Sequence, residues 1–183
     1  MKGSLGYALL ALLAAAESPS QVASTTGALH RDIAALADDG LGGRMPGTPG
    51  ADAATAYIIK RFTAVGLAPG GAGGAWAQPV TVAGKRSANV IGRLAGDRVP
   101  GEAVVVTAHW DHLGLCRPAG SPDRICNGAV DNASGVALMI EVARLLANGP
   151  RPGRTILFVA TTGEEEGLIG ARAFVASPPV ARD

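Results

Sequence analysis

Two short apolar runs in the second half of the chain flank a segment with helical periodicity, and this order limits the folds that the chain can adopt. Residues 103–108 and 156–161 are apolar and rich in β-branched side chains, and positions 104–106 are all valine, as expected for a strand buried on both faces. Residues 134–148 repeat apolar side chains at helical spacing, and Gly149 ends that pattern. This alternation predicts an α/β fold with a mostly parallel sheet and helices on both faces.

The N-terminal half predicts helices joined by loops that are rich in turn-forming residues. The segment 43–50 is dense in Gly and Pro, and Thr48 followed by Pro49 is a typical helix start. With 183 residues, of which 48% are hydrophobic, the chain can bury one sizeable core, which excludes general disorder. We therefore assign residues 17–85 to an N-terminal helical segment with Gly/Pro-rich loops, and residues 86–183 to the strand–helix core.

The first 16 residues have the pattern of a signal peptide. Lys2 precedes an apolar run, and Ala14 and Ala16 form an Ala-x-Ala cleavage pattern. The alternative is a hydrophobic first helix or a short anchor, although the run is short for a bilayer span and Pro19 follows closely. We expect export of the mature protein, to the periplasm or the medium, and no membrane association beyond the export signal.

The cysteines and the charged residues indicate the redox state and the partners to expect. Cys116 and Cys126 lie in one loop, and two nearby cysteines of an exported protein usually form a disulfide. A thiolate nucleophile or a zinc thiolate is the competing interpretation, but the C-x-x-C spacing is absent. The net charge is +1, and the basic residues are scattered, so the sequence predicts no nucleic-acid partner.

Chemistry-bearing residues follow the predicted strands or precede a predicted helix. His109 and Asp111 come directly after the run 103–108, Asp131 stands just before the helix 134–148, and a Glu pair at 164 and 165 follows the run 156–161. Ligands of open α/β sheets bind outside the carboxyl ends of the strands. We therefore expect these side chains to converge at one edge of the sheet.

The residue types suit a catalytic zinc site, which prefers nitrogen and oxygen ligands and keeps a coordination position open. His109 can bind a metal while Asp111 orients the ring, and Asp131 can bridge two metals through its two oxygens. Glu165 can ligate a metal, and Glu164 can serve as general base. Taken singly, these features also fit a solvated acidic turn, a structural histidine and a helix cap. Their combination favours the metal site.

The motifs resemble those of zinc exopeptidases of the bacterial leucyl aminopeptidase type, which are related to glutamate carboxypeptidase II and form metallopeptidase family twenty-eight. That family carries an H-x-D motif, a D-N-A-S-G-like motif and a G-E-E-x-G-L-x-G motif in this order. They correspond here to residues 109–111, 131–135 and 163–170, and residues 43–50 and 89–92 are also similar to the family.

The resemblance implies a zinc-peptidase α/β/α sandwich, with residues 86–183 as the N-terminal part of the catalytic core. It implies peptide substrates and two zinc ions, with a cis peptide bond after Asp131. By this resemblance, His109 ligates one zinc ion, Glu165 ligates the other, and Asp131 ligates both. Glu164 is the general base, and Asp111 orients His109. His112 and Glu166 have no ligand role in the family.

Two further family ligands, an Asp from a later strand region and a distal His, have no match after Glu165. Residues 166–183 contain no histidine, and their one aspartate, Asp183, comes too early and on no predicted strand. We therefore expect a C-terminally shortened chain that binds zinc weakly and cleaves aminoacyl substrates negligibly by itself. Two alternatives on the same scaffold stay open: a glutaminyl-cyclase-like acyltransferase and an inactive binding domain. The Gly-Leu-Ile-Gly segment at 167–170 fits the peptidases better than the cyclases, and the sequence leaves the oligomeric state open.

Overall fold

A computed structural model of the protein describes residues 19–180. Its helices are α1 (Pro19–Leu36), α2 (Pro49–Ala64), α3 (Ser134–Asn148) and α4 (Ile169–Ala176). Its strands are β1 (Ala68–Pro69), β2 (Ala77–Val82), β3 (Lys85–Leu94), β4 (Val99–His109), β5 (Gly114–Leu115), β6 (Ile125–Cys126) and β7 (Arg154–Thr161). The predicted signal peptide at residues 1–16 lies outside the described residues. None of the helices within residues 19–180 has both the length and the hydropathy that crossing a bilayer requires.

The larger sheet has the order β1-β3-β7-β4, and β2 pairs with β3 as well. Strands β4 and β7 are parallel, with Val104 opposite Ile156 and His109 opposite Thr161. The α/β class is confirmed, but the sheet is mixed, because the other strand pairs described are antiparallel. For the β2–β3 pair the reason is local: the two residues Ala83-Gly84, both at positive φ, join the strands, and so short a connection closes only an antiparallel hairpin.

Helices cover both faces of the sheet, as expected. One face carries the larger core, in which α2 and α3 pack against strand side chains such as Val90 and Phe158, and α1 packs on α3. The opposite face carries a smaller cluster, in which Ile91 and Leu157 contact Phe174 of α4. The side-chain alternation of a strand explains this division, since successive residues of β3 and β7 point to opposite faces.

Strands β7 and β4 have similar apolar sequences but different burial. Residues 155–160 of β7 are buried, because β3 and β4 flank that strand on both sides. Val104 is 48% exposed and Val105 is 44% exposed, since β4 forms the edge of the described sheet. The expectation that the valine run is buried on both faces is therefore wrong for the residues described.

The helix start predicted at Thr48 is confirmed. The Thr48 hydroxyl accepts a hydrogen bond from the Ala51 N–H at 3.2 Å, and Pro49 occupies the first turn of α2. This cap satisfies one of the N–H groups that the first turn of a helix leaves without an intrahelical partner. It fixes the end of the 43–50 loop, which lies against the functional site described next.

Candidate metal centre

The end of β4 is fixed by backbone and side-chain hydrogen bonds. His109 is the last residue of the strand, and the Trp110 N–H donates to the Thr161 carbonyl of β7 at 2.9 Å. The Trp110 ring is buried in the larger core, and its Nε1–H donates to the Ala88 carbonyl at 3.0 Å. Trp110 is therefore a packing residue, and it holds His109 and His112, which lie on either side of it in the sequence, at the edge of the sheet.

His109 lies against Asp131, as the sequence predicts. The distance from His109 Nε2 to Asp131 Oδ1 is 3.0 Å, and the Asp131 side chain is 62% exposed. On the other side of the ring, Nδ1 lies 3.2 Å from the backbone carbonyl oxygen of Asp111 and 3.9 Å from its carboxylate. Because a carbonyl only accepts, this contact keeps the proton on Nδ1 of the neutral ring and leaves the Nε2 lone pair beside Asp131.

The carboxylate of Asp111 has a different contact from the one expected. It accepts the Glu164 N–H, at 3.2 and 3.4 Å from its two oxygens, whereas its main chain orients His109. The carboxylate is fully buried, and burial raises its pKa to about 6, although the Glu164 N–H and the nearby His109 act in the opposite direction. Asp111 thus joins the end of β4 to the turn that carries the Glu pair.

Asp131 and Asn132 are neighbours in one turn, but their side chains have different contacts. The peptide bond between Asp131 and Asn132 is cis, which confirms the expectation from the family resemblance. The Asn132 side chain accepts the Gly135 N–H at 3.0 Å, and so it caps α3, whereas Asp131 faces His109. The helix-cap interpretation of this motif therefore holds for Asn132 and not for Asp131.

The Glu pair lies in a tight turn between β7 and α4. The Glu164 carbonyl accepts the N–H groups of Gly167 and Leu168, at 2.9 and 3.0 Å. Glu165 Oε1 lies 2.6 Å from His112 Nδ1. No described residue donates a hydrogen bond to the Glu164 carboxylate, so this group is able to accept a proton from another donor.

His112 belongs to the site, although the sequence gave it no ligand role. One donor atom each from His112, Asp131 and Glu165 lies within 4.8 Å of the other two. The sequence signal was the position of His112 only three residues after His109, which places both rings near the end of β4. The side chains that were expected to converge thus form two groups, and Asp131 belongs to both. One group contains His109, and the other contains His112 and Glu165.

Arg44 is a second residue whose role the sequence did not reveal. Its guanidinium is buried and donates to four backbone carbonyls, those of Leu36, Trp110 (2.8 Å), Asn127 (2.6 Å) and Gly128 (3.0 Å). Burial lowers its pKa, against the opposing effect of the Asp111 and Asp131 carboxylates. Arg44 therefore ties the segment after β4 to the segment before Asp131. The only sequence signal was its place in the 43–50 loop.

Asn89 of β3 holds the turn that carries Glu164 and Glu165 in place. Its buried amide donates to the Gly170 carbonyl at 2.8 Å, and its carbonyl oxygen accepts the Thr162 N–H at 3.0 Å. These bonds join both ends of the segment that contains the Glu pair to β3. The contribution of the 89–92 motif is thus structural support for the site.

The two cysteines close the loop between β5 and β6. Cys116 and Cys126 are joined, and their Cα atoms lie 5.8 Å apart, within the range that a disulfide allows. Asn127 and Gly128, which Arg44 binds, come directly after this bridge. The loop therefore borders the segment that leads to Asp131.

The donor set fits zinc. It combines imidazole nitrogens with carboxylate oxygens and no thiolate, and the orienting contact on His109 Nδ1 is of the kind that metal-bound histidines use. Two ligands of one tetrahedral zinc ion, at about 2.1 Å each, lie about 3.4 Å apart. The 3.0 Å between His109 Nε2 and Asp131 Oδ1 is close to this separation, and the exposed Asp131 side chain is free to adjust.

Comparisons with known proteins agree with this chemistry. Residues 89–183 match the sequence profile of peptidase family M28. A protein of Pyricularia oryzae described as a probable zinc metalloprotease is 43% identical over 88 residues, which are 48% of this chain and 17% of that protein. The first curated relatives are matched over only 17–19% of their own length.

Two solved structures from Bacteroides thetaiotaomicron share the fold. A leucine aminopeptidase precursor has a TM-score of 0.62 and 20% identity, and the match covers 84% of this chain and 57% of the precursor. A glutaminyl cyclase bound to N-acetylhistamine has a TM-score of 0.64 and 20% identity, over 84% of this chain and 56% of the cyclase. The fold by itself is therefore compatible with both reactions.

Proposed function

Because the chain belongs to peptidase family M28, we propose that it forms part of a zinc-dependent aminopeptidase, which hydrolyses N-terminal residues from peptides. The observation that carries the proposal is the position of Asp131. Its carboxylate lies 3.0 Å from His109 Nε2, and one of its oxygens lies within 4.8 Å of a donor atom of Glu165. A carboxylate between two sets of donors suits a bridging metal ligand. In this proposal His109 and Asp131 would hold one zinc ion, and Asp131 and Glu165 would hold the other.

The protein residues contribute proton transfer and positioning. Zinc, when bound, would polarise the scissile carbonyl and favour attack by water near neutral pH. Glu164 accepts the proton of the attacking water and returns it to the leaving amine, a role for which its carboxylate is free of hydrogen bonds from the described residues. Asp111 holds the main chain of Glu164 in place through the N–H contact.

Glu164→Gln tests the assignment in the full-length gene product. We expect a loss of turnover on aminoacyl-p-nitroanilides of about 10²- to 10⁴-fold, because the variant removes the proton acceptor. The zinc content, measured by mass spectrometry, should stay unchanged, because no ligand is removed. Glu166→Gln is the matched control, since Glu166 is an exposed neighbour in the same turn, and it should keep both activity and zinc. Loss of zinc from Glu164→Gln would show that base and ligand are exchanged.

Glutaminyl cyclase activity is the second candidate, and the similar fold of the B. thetaiotaomicron cyclase favours including it. A peptide with N-terminal glutamine separates the two reactions in the same assay. An aminopeptidase releases free glutamine, whereas a cyclase releases ammonia and leaves a pyroglutamyl peptide. If ammonia is released faster than glutamine, cyclase activity replaces peptidase activity as the proposed function.

Export and an oxidised cysteine pair are also part of the proposal. Cleavage after Ala16 would leave Glu17 as the first residue. Intact-mass measurement of the protein recovered from the periplasm or medium, without reductant, should give the mass of a chain beginning at Glu17. The mass should also be lower by two hydrogen atoms, as the Cys116–Cys126 bond requires. Retention of the N-terminal segment would exclude the signal peptide, and two free thiols would exclude the disulfide.

A further inference from the structure

A cleft between α1, α2 and α3 is lined by an unusual number of arginines. It has a volume of about 660 Å³, and four of its lining residues carry guanidinium groups: Arg31, Arg61, Arg144 and Arg151. Within the described part of the chain, no acidic side chain lines it. We call this feature the arginine cleft.

The arginine cleft lies far from the metal centre. Leu94, which also lines it, pairs with Ile156 near the start of β7, whereas the metal centre lies at the end of that strand. Helix α3 begins just after Asp131 and ends at Asn148, which lines the cleft. Its 15 residues span about 22 Å at 1.5 Å per residue. A small ligand in the cleft therefore does not reach the metal-binding side chains.

Two buried carboxylates hold three of the guanidiniums in place. Asp32 Oδ1 lies 2.9 Å from Arg61 Nε and 3.4 Å from Arg31 Nε. The Glu141 carboxylate accepts two hydrogen bonds from Arg144, at 2.6 and 2.8 Å. Both carboxylates are buried, and neither lines the cleft. Four guanidiniums against two carboxylates leave a net charge of +2 beside the cleft.

Several guanidinium donors of the cleft are not used by the protein. A guanidinium carries five N–H donors. Among the described residues, Arg31 and Arg61 each donate one hydrogen bond, both to Asp32, and Arg151 donates none. The remaining donors are available to a ligand, and a planar set of guanidinium donors matches the oxygens of phosphate and carboxylate groups.

We propose that the arginine cleft is a second binding site, which takes a small ligand through a phosphate or carboxylate group. The surplus of positive charge attracts the anion, and the buried carboxylates fix the guanidiniums before the anion binds. The site is separate from the metal centre, and the inference does not depend on the proposed function.

The helix ends at the cleft offer an alternative role for the arginines. Helix α2 ends at Ala64 and α3 ends at Asn148, and both residues line the cleft. Each helix C-terminus carries about half a negative charge, which attracts cations and opposes a bound anion. Two such ends offset about one of the two surplus positive charges. A surplus of about one positive charge remains, which favours the anion site over a purely structural role.

The experiment measures the binding of inorganic phosphate to the full-length gene product by isothermal titration calorimetry, with NaCl keeping the ionic strength constant. Chelator-treated Asp131→Asn protein is used, so that no zinc ion contributes to phosphate binding. Arg31→Gln and Arg151→Gln should each weaken binding by about 10-fold or more, because each removes a charged donor. Arg172→Gln is the matched control, since it removes the same charge from an exposed position of α4, on the opposite face of the sheet.

A parallel titration with succinate distinguishes the two anions. Saturable binding of either anion that weakens in Arg31→Gln and Arg151→Gln supports the site, and the tighter anion shows which group the natural ligand carries. The site is rejected if neither anion binds saturably, if both arginine variants bind as the parent protein does, or if Arg172→Gln weakens binding equally. None of these results involves a zinc ligand, so the proposed function is tested separately.

Discussion

Carboxylates have different partners in two clusters of this molecule. Between α1, α2 and α3, an ion-paired cluster (Asp32, Glu141, Arg31, Arg61 and Arg144) gives each carboxylate a guanidinium partner. In the metal cluster (His109, Asp111, His112, Asp131, Glu164 and Glu165), the carboxylates of Asp131 and Glu165 contact imidazoles and that of Asp111 accepts a backbone N–H. No guanidinium among the described residues forms an ion pair with any carboxylate of this cluster. The first arrangement neutralises charge for stability, whereas the second leaves negative charge available for a cation.

The largest expected effect comes from removing the charge of Asp32, compared with the same change at Asp131. Asp32 is buried and accepts hydrogen bonds from Tyr57 at 2.6 Å and from Arg61 at 3.2 Å. Asp32→Asn leaves Arg61 without its counter-charge and should lower the free energy of unfolding by about 3 kcal/mol or more. Asp131→Asn should change it by less than about 0.5 kcal/mol, because that side chain is exposed, but should remove zinc binding.

Urea denaturation and zinc titration of both variants check this prediction. A large loss of stability in Asp131→Asn would mean that the metal cluster is needed for folding even without zinc. Loss of zinc binding in a folded Asp32→Asn variant would mean that the two clusters are coupled.

Arginine-to-lysine changes separate the effect of charge from that of hydrogen-bond geometry, because they keep the positive charge and remove the planar set of guanidinium donors. Arg44→Lys should cost about 2 kcal/mol, since one ammonium group cannot reach all four carbonyls that Arg44 binds and leaves buried acceptors without donors. Arg61→Lys should cost less than about 1 kcal/mol, because an ammonium can still pair with Asp32. Equal losses in chemical denaturation would contradict the distinction between geometry and charge.

The smallest effect concerns Glu141 and depends on pH. Hydrogen bonds from Arg144, together with one from Thr25, lower the pKa of Glu141, although its burial acts in the opposite direction. A carboxylate whose pKa is lower in the folded state stabilises the protein above its unfolded pKa of about 4.3, and this contribution disappears as the pH falls through the folded value. Glu141→Gln should therefore cost about 1 kcal/mol at pH 7 and nothing at the acid end of the transition.

Stability curves of the wild type and of Glu141→Gln between pH 7 and pH 3 provide the measurement. The difference should be constant from pH 7 down to about pH 5 and should decrease below it. A difference as large at pH 3 as at pH 7 would show that Glu141 acts through packing rather than through its charge.

The sequence predicted much of the site because its motifs are local. His109, Asp131 and the Glu pair each stand beside a strand end or a helix start, and the edge of the sheet brings them together. Asp111 was identified, but the contact of its carboxylate with Glu164 was not, because that contact joins residues 53 positions apart. The number of zinc ions and the role of each residue stay predictions.

Periodicity and turn chemistry determined the α/β class, the cap at Thr48 and the strand and helix segments of the second half. These features depend on neighbouring residues, so the chain specifies them without knowledge of its partners. Burial of β4 and β7, the contacts of Arg44 and the place of His112 were decided only by the tertiary structure. Each depends on which distant backbone or side chain lies alongside, and an apolar run or a single histidine has the same sequence pattern whether or not a partner covers it.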